Sequence, residues 1–381
     1  ADFNDKSRGA PNARPLAFVV CDDTVRPDRG ARYLAEVLRV PAIVTPIRPS
    51  VVTATASFAP VLLSPAHASH PSQPAMGTEP RIPSLVPPAS TQARALAAIA
   101  RGVIVPAFAK KGKSSPSATV VASGDPYGIE LSTAVATALG SAPPVFTSLG
   151  APITLGDPAE ADFSAQLGEA AATLAANPPD VVVLLGGAEL VPLVQKLENV
   201  ATVHPVYLAS DGLATPALVS TSFVSAPPFG RFVGVVPGPS TSPELSDMAF
   251  RLGGAKGEPN ADGVAASYDA VYALGYALSL HPKAPTAALL ADDLLRVTSG
   301  TTTEATGPKA VAAALSILRT GGSINLDGAS GDLALDAVTR DADDDFAMWC
   351  VAQGALVRSL TMYDHEKDKL LDGPGCSLAL P

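Results

Sequence analysis

Any chemistry in this chain would have to come from a small set of residues. His67 and His70 stand three apart in a Pro/Ser-rich stretch, a spacing that two imidazoles of a metal site can use, but no third Cys, His or carboxylate lies nearby in sequence to complete it. Arg48 and His67 can each hold an anionic group, Arg48 through a bidentate fork, and each reads equally well as a solvated loop residue. Glu189 follows Gly186 and Gly187 at the end of an apolar run, an acidic group where a strand should turn into a helix. That Gly-Gly-Ala-Glu-Leu segment lacks the spacing that cradles a phosphate. No Gly-x-Ser-x-Gly elbow, Walker loop or Gly-x-Gly-x-x-Gly turn stands between a strand and a helix. The pattern is that of a binder and not of an enzyme, and no motif calls for a cofactor or a metal.

The elements that must position these groups follow one grammar. The run Ala-Thr-Val-Val-Ala at 118–122 meets Ser-Gly-Asp-Pro-Tyr-Gly at 123–128, and an amphipathic helix is expected from about Ile129. Similar apolar runs recur at 16–21, 42–44, 61–64, 181–185, 206–210 and 232–236, with helical patterns in most of the gaps. This alternation predicts a parallel α/β architecture, in which ligands bind at the carboxyl ends of the strands. Phe163, Leu167, Ala171 and Leu174 form one apolar helical stripe, and Leu131, Val135 and Leu139 form another, so each helix should cover a sheet. Pro178 and Pro179 stop the first of these. The unalternated run 181–185 then suits a central strand buried on both faces. A further stripe of Val264, Tyr268, Val271, Tyr272 and Leu278 predicts a helix of about four turns.

At 381 residues, the chain exceeds the size at which one core stops growing, so two compact units are expected. No uninterrupted apolar run approaches the ~18 residues of a membrane span. The net charge of −10 is dispersed, with no basic block beyond Lys110, Lys111 and Lys113, which argues against nucleic acid and anionic membranes and for a small-molecule ligand. The 37 prolines cluster between elements as rigid connections. Of three cysteines, Cys21 falls in an expected strand, while Cys350 and Cys376 would pair in an oxidising compartment and stay free in a reducing one.

Several segments, taken in order, carry a resemblance. They are Val-Cys-Asp-Asp at 20–23, Val-Pro-Ala-Ile-Val at 40–44, Leu-Ser-Pro-Ala at 63–66, Gln-Ala-Arg-Ala-Leu-Ala at 92–97 and Asp-Pro-Tyr-Gly at 125–128. Pro-Asp-Val-Val-Val at 179–183, Ser-Asp-Gly at 210–212, Tyr-Asp-Ala-Val-Tyr at 268–272 and Gly-Asp-Leu-Ala-Leu-Asp at 331–336 continue the series. Together, over about residues 16–358, they resemble the type I periplasmic binding proteins, in the branch of the leucine-isoleucine-valine-binding protein of ABC transporters. The resemblance implies an α/β fold of two Rossmann-like lobes joined by a three-crossing hinge, with a ligand cleft between them. Residues 1–88 and 238–343 would form lobe one, and 89–237 with 344–381 would form lobe two and a C-terminal tail. The family's opening strand and most of its first helix are missing, with residues 1–5 as the tail of that helix, so the native precursor is expected to continue upstream.

The resemblance further implies an extracytoplasmic or periplasmic solute-binding protein whose partners are a small molecule and a membrane permease of an ABC importer. Lipid anchoring is left open. In amino-acid-binding relatives, a serine and a threonine after the second and third strands of lobe one hold the ligand carboxylate; this chain has Pro49 and Ala68 there. Ser50 and Ser69 follow directly, but Pro49 lacks the N–H that such a clamp uses. Ala66, Arg48, Ser50, His67 and Ser69 are the lobe-one contacts that the resemblance points to. On lobe two, Tyr127 matches a tyrosine that packs over the ligand. Asp211 matches an acid that pairs with the ligand ammonium, or else caps a turn in its Ser-Asp-Gly setting. Glu189 is a second acidic candidate, and Tyr268 with Asp269 face the cleft in some relatives, although at its helical spacing Tyr268 reads more readily as a core residue. The expected ligand is an amino acid or a related amine. The other reading is a sensing or protein-interaction module of the same fold with a degenerate cleft.

Overall fold

The computed structural model describes residues 3–4, 15–21, 27–44, 61–65, 83–141, 143–158, 160–223, 228–252 and 263–380. Strands β1 (Ala42–Val44) and β2 (Val61–Leu63) are followed by β3 (Ser117–Ala122), β4 (Ser148–Leu149) and β5 (Ile153–Thr154). Next come β6 (Val181–Leu185), β7 (Val206–Ala209), β8 (Phe232–Pro237), β9 (Thr302–Ala305) and β10 (Ile324–Gly328). The last are β11 (Gly331–Asp332), β12 (Phe346–Ala352), β13 (Ala355–Asp364) and β14 (Lys369–Leu371). The chain divides into two compact units. Unit one holds Ala1–Pro88, Thr241–Pro259 and Gly263–Asp344, and unit two holds Ala89–Ser240, Asn260–Asp262 and Asp345–Pro381.

In unit one, β1 and β2 pair in parallel, and β9 pairs in parallel with β10, which turns back on β11. The helix Val264–Ser279 forms over about four turns as expected, but of the expected stripe only Tyr272 is buried, with Val264, Tyr268, Val271 and Leu278 half-buried. Its buried face, with Ala266, Ala270, Ala273 and Tyr276, joins Leu63, Leu294, Leu318 and Leu326 in the core. Phe3 packs edge-on against Tyr276 at 4.9 Å. On that helix, Asp269 is fully buried and accepts four hydrogen bonds, from Thr306 Oγ1, Ala329 N, Ser330 N and Ser330 Oγ. Burial raises its pKa, and those donors work in the opposite direction. The expected strand at 16–21 does not form. Asn4 takes both backbone groups of Leu16 with its side-chain amide, and Phe18, Val19 and Val20 are exposed. Cys21 is therefore a free thiol outside any strand.

Unit two is built on one nine-stranded sheet in the order β14-β13-β12-β8-β7-β6-β3-β4, with β5 also on β3. From β8 to β3 every neighbouring pair is parallel. β6, β7 and β8 are buried at every residue, as strands covered on both faces require. The helices Pro126–Gly140 and Phe163–Ala176 bury the Leu131 and Leu167 stripes that their spacing predicted. The antiparallel extension β12–β14 was not legible as such. Its first turn is Gln353-Gly354, with φ of 54° and 77° at the two central residues, the primed geometry that joins strands of the normal twist. Cys350 on β12 is bonded to Cys376, which fastens the C-terminal segment to the sheet.

The helical stretch 89–110 is the one among the described residues long and apolar enough to cross a membrane, with mean hydropathy 1.2. Ala93, Leu96, Ile99 and Ile104 along it belong to the core of unit two, so it reads as a core helix.

Candidate functional site

The carboxyl ends of β3, β6 and β7 lie side by side, because those strands are parallel neighbours. From them come three loops, Ser123-Gly-Asp125, Gly186-Gly187 and Ser210-Asp-Gly212. In the first, Asp125 caps the following helix, accepting from Gly128 N at 2.7 Å, with Pro126 in the first turn. That cap starts the helix at Pro126, three residues before the sequence expectation, and places Tyr127 in its first turn. Gly128 is required there, since a Cβ would lie 2.3 Å from Ser123 O. Burial raises the pKa of Asp125, partly offset by hydrogen bonds from Gly128 N–H and Ser123, while the charge of Asp157 adds to the rise.

Ser210 ties the other two loops together. Its Oγ accepts from Gly186 N at 3.1 Å and donates to Gly186 O at 2.8 Å. Gly212 allows this closeness, because a Cβ there would lie 2.7 Å from Gly186 O. Glu189 turns back on its own loop, accepting from Gly187 N. Asp211 is 1% exposed, and its Oδ1 accepts from Gly212 N at 2.8 Å and from the Tyr127 hydroxyl at 2.5 Å. The Tyr127 oxygen also lies 2.9 Å from Oε1 of Gln92, a residue with no solvent exposure in the helix Ala89–Ile99.

The fold thus brings together Tyr127 and Asp211, which the sequence nominated, with Gln92, which it did not. The available signal was a polar residue on the buried face of an otherwise Ala- and Leu-rich helix. Asp211 does not cap the short turn Asp211–Leu213, whose cap position is Ser210 without a side-chain capping bond; its Oδ1 accepts from the next residue, Gly212 N, while bonded to Tyr127. Arg48, Ser50, Ala66, His67 and Ser69, together with Pro49, Ala68 and His70, lie outside the described residues. Tyr268 is bonded to Arg251 and Tyr272. Asp345 and His365, 2.9 Å apart, are bound into the sheet, where Asp345 O takes Gly238 N.

These features define the class: an α/β protein with the type I periplasmic binding protein fold and a polar cluster at the carboxyl edge of one sheet. Among solved structures, the chain is similar to the leucine-binding protein LivK of Thermotoga maritima, with TM-score 0.69, 15% identity, and 96% of this chain and 93% of that one covered. It is similar to the branched-chain amino acid substrate-binding protein LivJ of Streptococcus pneumoniae, in complex with isoleucine (TM-score 0.63, 13% identity, 94% and 91% covered). A third is the solute-binding protein of an ABC transporter from Rhodopseudomonas palustris, in complex with 3,4-dihydroxybenzoic acid (TM-score 0.63, 13% identity, 96% and 90% covered). These neighbours are substrate-binding proteins and not enzymes. No protein-family model and no curated protein matches the sequence.

Proposed function

We propose that this chain is the extracytoplasmic solute-binding component of an ABC importer and that it takes an amino acid or a related small amine. The single observation that carries the ligand class is the buried Tyr127–Asp211 pair at the carboxyl edge of parallel strands. A carboxylate held by a phenol in a nearly dry setting is an acceptor for an ammonium, and the phenol ring adds an apolar wall beside it. The solute-binding role draws support from neighbours whose names give leucine, isoleucine or an aromatic acid as ligand. The Cys350–Cys376 bond supports a place outside the reducing cytoplasm. In this reading, Arg48, Ser50, Ala66, His67, Ser69 and Glu189 complete the ligand shell. Lobe boundaries near 88, 238 and 343 serve as the three hinge crossings, and a permease reads the ligand-dependent closure.

A second reading, a sensor or interaction module of the same fold, is favoured by Pro49 and Ala68 at the two positions where a carboxylate clamp would stand. A thermal-shift screen against common amino acids, polyamines and aromatic acids separates the two. A ligand at about a hundred times its Kd adds roughly 2.7 kcal/mol of stability. A shift with one family of amines supports the importer reading, and a folded protein with no shift across the panel supports the second.

A further inference from the structure

Gln92 is fully buried, and one of its two amide groups lies beside the Tyr127 hydroxyl while the other, assigned as Nε2, has no hydrogen-bond partner among the described residues. Proton counting decides which group faces which way. A phenol carries one proton, and a carboxylate only accepts. With Asp211 ionised, the Tyr127 proton goes to Asp211 Oδ1 at 2.5 Å. The phenol oxygen then has only lone pairs to offer at 2.9 Å, so the amide group facing it must be the NH2. The two amide ends are nearly alike in scattering and shape, and the exchange needs no movement of the chain. It leaves the carbonyl oxygen of Gln92 as the buried group without a partner.

We propose that Gln92 is a ligand-reading residue whose carbonyl oxygen shares the ligand's ammonium with Asp211. The inference rests on the amine-binding reading above and deepens it: the site takes a primary amine, because one N–H meets Asp211 while a second meets Gln92. Relay through Tyr127 sets the order of the amide, since Asp211 fixes the phenol proton and the phenol fixes the NH2. A tertiary or quaternary amine offers too few N–H donors to fill both acceptors.

The test is calorimetric titration of the wild-type protein with the twenty common amino acids, putrescine and benzoate. The best amine and its N,N-dimethyl derivative are then titrated into wild type, Gln92→Met and Gln92→Glu, with each variant's Tm measured alongside. Gln92→Met keeps the volume and removes the acceptor, so the amine should bind about 10- to 100-fold more weakly. Gln92→Glu keeps an acceptor but loses the NH2 that faces Tyr127, so it should bind more weakly than wild type and more tightly than Gln92→Met, and the N,N-dimethyl derivative should bind poorly to all three. Equal loss in both variants would overturn the acceptor role and point to an NH2 donor. Unchanged affinity in Gln92→Met, with only its Tm lowered, would overturn the inference alone and leave Gln92 as packing. Failure of the wild type to bind any amine, or binding of benzoate only, would overturn the amine-binding reading itself.

Discussion

The large sheet of unit two carries a buried tyrosine–acid pair at each edge, and the two are completed differently. At the amino edge, Tyr207 donates to Glu198 Oε1 at 2.6 Å. Arg231, just before β8, clamps both oxygens of that carboxylate at 3.0 and 2.5 Å and donates to Pro205 O as well. Burial, then the charge of Glu198, pushes the Tyr207 phenol well above its ordinary pKa, so it remains a donor. At the carboxyl edge, Tyr127 and Asp211 have as their third member a neutral amide with one group unused. A carboxylate locked by a guanidinium fork holds strands and helices in place. In the proposed reading, the one that shares its surroundings with an unfilled amide receives the ligand's ammonium. Burial of an acid is therefore a poor marker of function, as the saturated Asp269 of unit one also shows.

The comparison is broken most forcefully at the amino edge. Arg231→Met leaves Glu198 charged in a dry site and should destabilise the protein by about 3–5 kcal/mol in guanidinium unfolding. Ligand affinity measured on the folded protein should stay within about twofold, and a large loss would mean that the two edges are not separable. Next, replacing both Cys350 and Cys376 by Ser opens the loop closed over 26 residues and should remove about 2–4 kcal/mol. An unchanged unfolding midpoint would show that the C-terminal segment is held by its strand pairing alone.

Tyr127→Phe sharpens the comparison from the other side. It removes the hydroxyl but keeps the ring, so amine affinity should fall about tenfold while stability changes by about 1 kcal/mol. A mainly structural Tyr127 would give the reverse proportion.

The smallest effect lies in pH dependence, where the two edges should have opposite signs. At the amino edge, burial raises the pKa of Asp180, but hydrogen bonds from Lys113 and from Ser117 N and Oγ outweigh it, for a net lowering. Its contribution is present above the unfolded pKa of 3.8 and is lost as pH falls through the folded value. Asp125 at the carboxyl edge is raised, so its contribution is present below 3.8 and is lost as pH rises through the folded value. Unfolding free energies measured across the acid range should thus lose opposite slopes in Asp180→Asn and Asp125→Asn. Slopes of the same sign would contradict the assignment.

Fold class was legible because it rests on period. The runs at 42–44 and 181–185 are strands over those very residues, and the stripes of Leu131 and Leu167 face the core. What escaped depended on single contacts that no period records. Residues 16–21 form no strand and Leu16 bonds instead to the Asn4 side chain, the Asp125 cap moved a helix start, and Gln353 at positive φ closed a hairpin that Asn-Gly or Asp-Gly would have announced. At the candidate site, Tyr127 and Asp211 drew notice through the resemblance. Gln92 lies 35 residues before Tyr127, and only the packing of its helix brings the two together.

Amine recognition by Asp211 is the central claim, and titrating the ligand panel into wild type and Asp211→Ala side by side tests it most directly. The account predicts that the wild type binds an amino acid or related amine and that Asp211→Ala, still folded by circular dichroism, binds it at least about a hundredfold more weakly. Equal affinity in the two proteins, or a ligand without an amine bound by both, would contradict it.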